Sequence, residues 1–478
     1  MKFKIFTALT LCLAINALSQ SKYNHGNKFD FDKTIEKDVK MVAGDANSFY
    51  MSSITNENTF ESKSQIFVRK FDNTNNLKQT FTHNIPQMEK FAYINYLGSF
   101  DAGNNIVFIT ETYAGKLKKK NIYKIIFDKT AGTFREDLMA TFPIESVMKS
   151  GTSYFEKSEN GRYGAVVFYE HSPRKEPVKI NINVFETSSL KTVWEKQITG
   201  EAGSSDTHFF VANSGNVGLL RSAQQNASLL YVTPSGQEEK FFTEKMKIVS
   251  EHAVSIGSKE YLLAFNSTPK TIKMNAANFE NLMLYDIEEG KIVSNEVVSQ
   301  YNDGSKIVEI YTPYSTVSGN NIYLFTESRI NAGTRQAKSP MRTMMINETY
   351  YVTADPRMVI INSTTGKIDN VVALNGKGRK NAELDLHALG IVNVKGNYIM
   401  KKGENYDLSA VNLDSKSVVE LKNMPPYKET QAAQFQGSGD AYSQALLYRP
   451  DVKGIYYPRT YDGSKSAAIV AIENFDGK

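Results

Sequence analysis

The chain reads as all-β, a single β-propeller of seven or eight four-stranded blades, and three observations carry that expectation. Its 26 Tyr and 27 Phe stand against one Trp, with Val, Ile and Thr plentiful, and such side chains suit a pleated, half-buried surface. No helical apolar period persists beyond a few turns. Short apolar runs recur along the chain at the spacing of a repeat array.

Those runs are Ser48 to Met51, Ile106 to Ile109, Ala165 to Tyr169, Val217 to Leu220, Tyr261 to Phe265, Ile322 to Phe325, Tyr398 to Met400 and Ala445 to Tyr448. Their starts lie about 44 to 76 residues apart. Most are continuously apolar, the pattern of a strand buried on both faces. After each of the first seven comes a loop, a strand, a tight polar turn and another strand. Leu282 to Asp286 with Glu289-Gly290-Lys291-Ile292-Val293, and Val359 to Asn362 with Thr365-Gly366-Lys367-Ile368, show the pattern. Gly or Asn in the turn supplies the positive φ that a hairpin needs. A further strand ending in a Gly or Asn turn precedes most runs, as in Tyr154 to Tyr163 and Phe209 to Asn216. Four strands per unit and about eight units follow, and radially repeated four-stranded sheets build a propeller.

Lys157-Ser158-Glu159-Asn160-Gly161-Arg162-Tyr163, followed by Ala165-Val166-Val167-Phe168, resembles the strand–turn–strand signature of WD40-like periplasmic propeller repeats. The resemblance covers about fifteen residues. It implies a fold and carries no function.

In the last unit Ala467 to Ile472 serves as the third strand, and Glu473 to Lys478 are too few for a fourth. Phe29 to Lys37 is expected to supply the missing strand, which would remove an exposed sheet edge. One connection, at about 327–356, is read as a long insertion loop, with Thr343 to Thr353 pairing Met358 to Ile361 as the alternative.

The first nineteen residues have the parts of a secretory signal. Lys2 and Lys4 form the positive region, Ile5 to Ala14 the apolar stretch, and Ala17-Leu18-Ser19 a small-residue cleavage site before Gln20. An apolar run of about ten residues is half of what a bilayer span needs. The expected product is an exported chain of residues 20–478 with no transmembrane segment, working in the periplasm, at the cell surface or outside the cell. Cys12, the only cysteine, would leave with the signal. Disulfides and Cys-ligated metals are then excluded. The formal charge of +5 falls to +3 without Lys2 and Lys4, too near balance to argue for nucleic acid.

No nucleophile elbow, paired-histidine zinc motif, P-loop or EF-hand loop occurs. No metal or cofactor is expected. His25, His83, His171, His208, His252 and His387 are scattered. Basic residues cluster in the connections between second and third strands. They are Lys116-Leu117-Lys118-Lys119-Lys120, then Arg174-Lys175, then Lys270 and Lys273, then Arg329, Arg335, Lys338 and Arg342. A propeller brings such connections to one face, where clustered charge steers anionic partners. Lys118, Lys119, Lys120, Arg174, Lys175, Arg335, Lys338 and Arg342 are therefore the expected contacts of a non-enzymatic binding or scaffold protein holding a protein or an anionic glycan. The rival is a glycan hydrolase or lyase with carboxylates in the central channel. Asp206, Glu251, Asp303 and Asp385 lie near first-strand starts and are its candidates, and two facing carboxylates would favour it. An outer-membrane barrel fits poorly, since its strands alternate over about ten residues.

Overall fold

Strand after strand follows the hairpin pattern of the sequence in the computed structural model. It describes residues 22–473 except 33–34, 56–63, 89–92, 147–148, 174–175, 201–205, 223–226, 243–245, 268–271, 274–275, 278–280, 299–306, 339–344, 375–378, 382–389, 395–396, 403–406, 414–416, 421–445 and 462–464. The described residues form eight antiparallel sheets, six of four strands and two of five, the blades of a β-propeller fold, and one further two-stranded hairpin, Ile272–Lys273 with Ala276–Ala277. The blades span residues 36–84, 93–143, 152–200, 206–241, 247–297, 307–373 and 390–420, and the last joins 447–473 to 22–25. No helix long and apolar enough to cross a membrane is present among them. The chain divides into two compact units. Residues 57–64 and 84–387 hold the second to sixth blades, and residues 1–56, 65–83 and 388–478 hold the first, seventh and eighth.

Within a blade, exposure follows strand order. The second strands are the apolar runs of the sequence, and Ser48–Thr55 is buried along its whole length. Such strands pack on both faces, so alternation is lost. Fourth strands form the outer edge, and Thr133–Pro143 alternates between exposed and half-buried positions. Ala445 to Tyr448 departs from the reading. Leu447–Arg449 is the first strand of the eighth blade, and Gly454–Tyr461 is its second.

The eighth blade is closed by the N-terminal segment, but not by the residues expected. Lys22–His25 pairs antiparallel with Ser466–Glu473, in the register Lys22 to Glu473, and Phe29–Asp30 adds two residues to the same strand. Glu36 and Lys37 already belong to the first strand of the first blade. The closing segment is held by burial: Phe29 and Phe31 pack with Phe49, Phe71, Tyr456 and Ile469 in one core.

The segment at 327–356 is likewise not a loop. Asn321–Lys338 and Met345–Asn362 run past the blade as one long antiparallel ribbon, with Arg335 opposite Glu348 and Lys338 opposite Met345. Thr353 pairs with Arg329, so the alternative pairing with Met358 to Ile361 is also replaced. Period-2 residues such as Thr349, Tyr351 and Thr353 favour a strand, and a ribbon satisfies their backbone groups, which a bare loop of that length would leave to water.

Candidate functional site

Inside the five-blade unit, the first strands of the third to sixth blades converge on a cavity of about 410 Å³. Its walls are Glu156 and Lys157 from Thr152–Lys157, His208 and Phe209 from Asp206–Val211, Ser250 to Ala253 from Lys247–Ile256, and Ile310 and Thr312 from Ile307–Ser318. First strands lack a further sheet neighbour on the inner side, so their polar residues meet the cavity. The same strands turn Phe210 and Ile248 into a buried inter-blade cluster.

Glu159 enters from the turn between the first two strands of the third blade. That turn is specified locally. Gly161 takes φ +67, which a side chain would oppose, and Gly161 N–H donates to Ser158 O at 2.8 Å. Asn160 Oδ1 accepts from Arg162 N at 2.9 Å, and Ser158 Oγ accepts from Tyr163 N at 3.0 Å. The geometry presents Glu159 to the sixth blade, where Ser315 Oγ donates to its Oε1 at 3.1 Å. Glu159 keeps water contact through the cavity, yet protein surrounds it closely enough that desolvation raises its carboxyl pKa. The bonds from Ser315 and the Ser255 backbone only partly offset this.

A second pair faces the same space. His208 Nδ1 lies 2.8 Å from Glu251 Oε2, and both side chains are largely sheltered. A carboxylate on Nδ1 fixes the imidazole orientation and which ring nitrogen faces the cavity. Next to Glu251, His252 behaves oppositely. Its Nε2 is buried with no hydrogen-bond partner among the described residues. Desolvation lowers its pKa to about 4, so this imidazole is neutral near pH 7. Ser250 Oγ and Thr312 Oγ1, 3.1 Å apart, add hydroxyls to the wall. One cavity thus holds a carboxyl with a raised pKa, a carboxylate–imidazole pair and a neutral imidazole. Those are the components of acid–base chemistry. Among the described residues no group of three His, Cys, Asp or Glu side chains is placed to hold a metal.

The basic residues expected to form one face fare unevenly. Lys118 and Lys119 are exposed at the turn that enters the strand Lys119–Asp128, with Lys118 at φ +48. Lys120 must be removed from that face, because its side chain is 0 % exposed and pairs with buried Glu111 at 3.1 Å. Alternation explains the error: in a strand, Lys119 and Lys120 point to opposite sides. Arg335 and Lys338 lie on the long ribbon. Arg174, Lys175 and Arg342 lie outside the described residues, as do Asp303, Asp385 and His387. Asp206 begins a first strand opposite Arg221. Of the acidic candidates the cavity includes Glu251. Glu159 was legible only as part of a turn signature and His208 only as one scattered histidine. Nothing in their spacing announces that they share a cavity.

No protein-family model and no curated protein matches the chain. Its fold is similar to several solved structures at low identity. The β-propeller domain of the Trilobed protease from Pyrococcus furiosus is 12 % identical with a TM-score of 0.36, over 83 % of this chain and 97 % of that one. An acylaminoacyl peptidase in complex with Z-Gly-Gly-Phe-chloromethyl ketone is 11 % identical with a TM-score of 0.37, over 91 % and 60 %. A europium-containing methanol dehydrogenase is 9 % identical with a TM-score of 0.44, over 95 % and 94 %.

Proposed function

We propose that this chain is an exported acid–base enzyme, a hydrolase or lyase that cleaves a glycan in the cavity of its five-blade unit. The observation that carries the reading is the joint presence there of Glu159 and the Glu251–His208 pair. Glu159, whose pKa desolvation raises, donates a proton to the leaving oxygen. His208, oriented by Glu251, takes a proton from water or from the sugar carbon. Hydroxyls of Ser250 and Thr312 and the carboxylate of Glu156 offer the hydrogen-bonding partners that a polyhydroxyl ligand needs.

The test is product release from neutral and anionic polysaccharides, read as new reducing ends and as absorbance of unsaturated products. Removing a general acid or base costs about 10²–10⁴-fold. Glu159→Gln and Glu251→Gln are therefore expected to lose at least about 10²-fold while melting with the parent. Parent protein inert on both glycan classes, or variants as active as the parent, would overturn the reading. Export belongs to the same proposal, and mass spectrometry of protein from the native envelope is expected to find a chain beginning at Gln20.

A second reading, a binding protein for an anionic glycan or protein, is favoured by the exposed Lys116, Lys118 and Lys119 around one turn. It predicts salt-sensitive binding lost in Lys118→Ser/Lys119→Ser, since the Debye length shrinks from about 10 Å at 0.1 M salt to about 3 Å at 1 M.

A further inference from the structure

Beside the acid–base cavity stands a second set of groups, which says what kind of glycan enters it and so rests on the acid–base reading. Tyr154 lies on the first strand of the third blade, two residues before Glu156. Side chains alternate along a strand, and positions two apart share a face about 7 Å from each other. Tyr154 pairs across with Val167 and Glu156 with Ala165, and both partners pack with Phe209 in the core between the third and fourth blades. Tyr154 therefore faces the fourth blade, beside Glu156. Its ring centroid lies 6.3 Å from that of Phe209, a wall residue of the cavity, and 5.8 Å from that of Tyr169, edge to face.

Exposure sets this ring apart. Phe209 and Phe210 are 8 % and 5 % exposed, whereas Tyr154 is 39 % exposed. Two neighbouring rings flank it without covering it, and an open aromatic ring on an inner strand offers a stacking surface to the C–H face of a pyranose. Such stacking needs a sugar whose hydroxyls are equatorial, because axial ones would stand between the two rings. Charge narrows the class further. The cavity wall carries the carboxyl groups of Glu156, Glu159 and Glu251 against two basic side chains. Lys157 alternates to the other side of its strand, with Nζ 5.8 Å from the centre of the Phe100 ring in the second blade and close enough to Asp101 to act on its carboxyl. His208 is already set against Glu251. A uronate or sulfate brought here meets like charge in a partly enclosed space, where repulsion is strengthened. An uncharged sugar meets acceptors for its hydroxyls instead.

We infer that the cavity takes an uncharged glycan of pyranoses whose hydroxyls and links are equatorial, with one ring stacked on Tyr154 and the next enclosed beside Glu156. A space of about 410 Å³ encloses only part of a longer chain, which leaves a neighbouring unit for Tyr154. Tyr154 is thus a positioning residue, and the wall carboxyls set the selection against acidic sugars.

Cellohexaose and the glucuronate hexamer of the same linkage make the test, because they differ only in carrying a hydroxymethyl group or a carboxylate on each ring. Calorimetric titration of the full chain, with the recovered sugar checked for cleavage, is expected to show cellohexaose binding and the glucuronate hexamer binding at least about tenfold more weakly. Tyr154→Phe keeps the ring and is expected to bind cellohexaose as the parent does, while Tyr154→Ala and Tyr154→Leu are expected to bind it about tenfold more weakly. Tyr154→Leu keeps apolar bulk beside Phe209, so it reports on the ring even if Tyr154→Ala does not fold. Absence of cellohexaose binding up to millimolar concentration would overturn the inference. Equal or tighter binding of the glucuronate hexamer would overturn the selection by charge, and Tyr154→Leu binding like the parent would overturn the role of Tyr154. The acid–base reading fails separately. Cellohexaose bound but left intact would overturn that reading and support this one, whereas unsaturated products from the glucuronate hexamer would support that reading and overturn this one.

Discussion

Replacing Lys118, Lys119 and Lys120 one at a time by Ser separates a charged surface from a charged core. In the sequence the three are one basic run. In the structure Lys120 sits between the second and third blades. Its Nζ lies 3.1 Å from Glu111 Oε2 and donates to Gly151 O at 3.3 Å, with the Tyr113 and Phe168 rings 4.8 and 4.6 Å away. Desolvation pushes the Lys120 pKa down while Glu111 opposes it, so the ammonium is tolerated only because its partner is present. Lys120→Ser leaves Glu111 with donors from Asn95 at 2.9 Å and Tyr113 at 2.9 Å but with no countercharge. Breaking a buried pair from one side costs about 3–5 kcal/mol. At about 2 °C per kcal/mol for a large domain, the melting temperature is expected to fall by about 6–10 °C. Lys118→Ser and Lys119→Ser, at exposed positions, are expected to stay within about 0.5 kcal/mol of the parent. Thermal and urea unfolding measure all three. Lys120→Met with Glu111→Leu removes both charges and is expected to recover most of the loss. A Lys120→Ser protein that melts within a degree of the parent would refute the buried pair.

Two further perturbations follow from the same reasoning. His252 has a folded pKa of about 4 against 6.5 when free, so the unfolded chain takes up a proton first as pH falls. Its contribution is complete above about pH 6.5 and is lost toward pH 4, amounting to at most about 3 kcal/mol; stability curves of parent and His252→Phe that stay parallel between pH 7 and 4 would rule it out. Deleting residues 20–31, which hold the closing strand and the buried Phe29 and Phe31, is expected to lower the melting temperature by several degrees, because it bares the edge of Ser466–Glu473. An unchanged melting temperature would make those residues dispensable.

Legibility in the sequence followed the physics of each element. Second strands announced themselves because burial on both faces writes a continuous apolar run, as in Ile106 to Ile109, and hairpin turns did so because positive φ calls for Gly or Asn. Leu447–Arg449 was misassigned because a three-residue edge strand writes no pattern that differs from its neighbour's. The closing strand was placed a few residues late. Lys22–His25 is polar, being the outer edge of its sheet, whereas Phe29 and Phe31 are the apolar anchors and write the stronger pattern. The cavity was illegible for a different reason. Glu159, His208, Glu251 and Ser315 come from four blades, and local spacing holds no record of which first strands converge.

The buried charges fit a role that apolar packing cannot fill. Blade faces in a repeated architecture are nearly interchangeable, since a surface of Val, Ile and Phe accepts another such surface in more than one register. Three buried cations make polar contacts outside their own blade. Lys120 joins Glu111 of its own blade to Gly151 of the next. Arg69 holds Glu36 through both nitrogens, at 2.7 and 2.8 Å, and reaches Asp30 O of the closing segment at 3.1 Å. Arg449 of the eighth blade binds Asn73 and Ala46 O of the first at 2.7 and 2.9 Å. Desolvation makes such groups poor sources of net stability, but a wrong neighbour leaves them unpaired at a cost of several kcal/mol. These contacts lie at the junction of the second and third blades and where the N-terminal segment and the last blade meet the first.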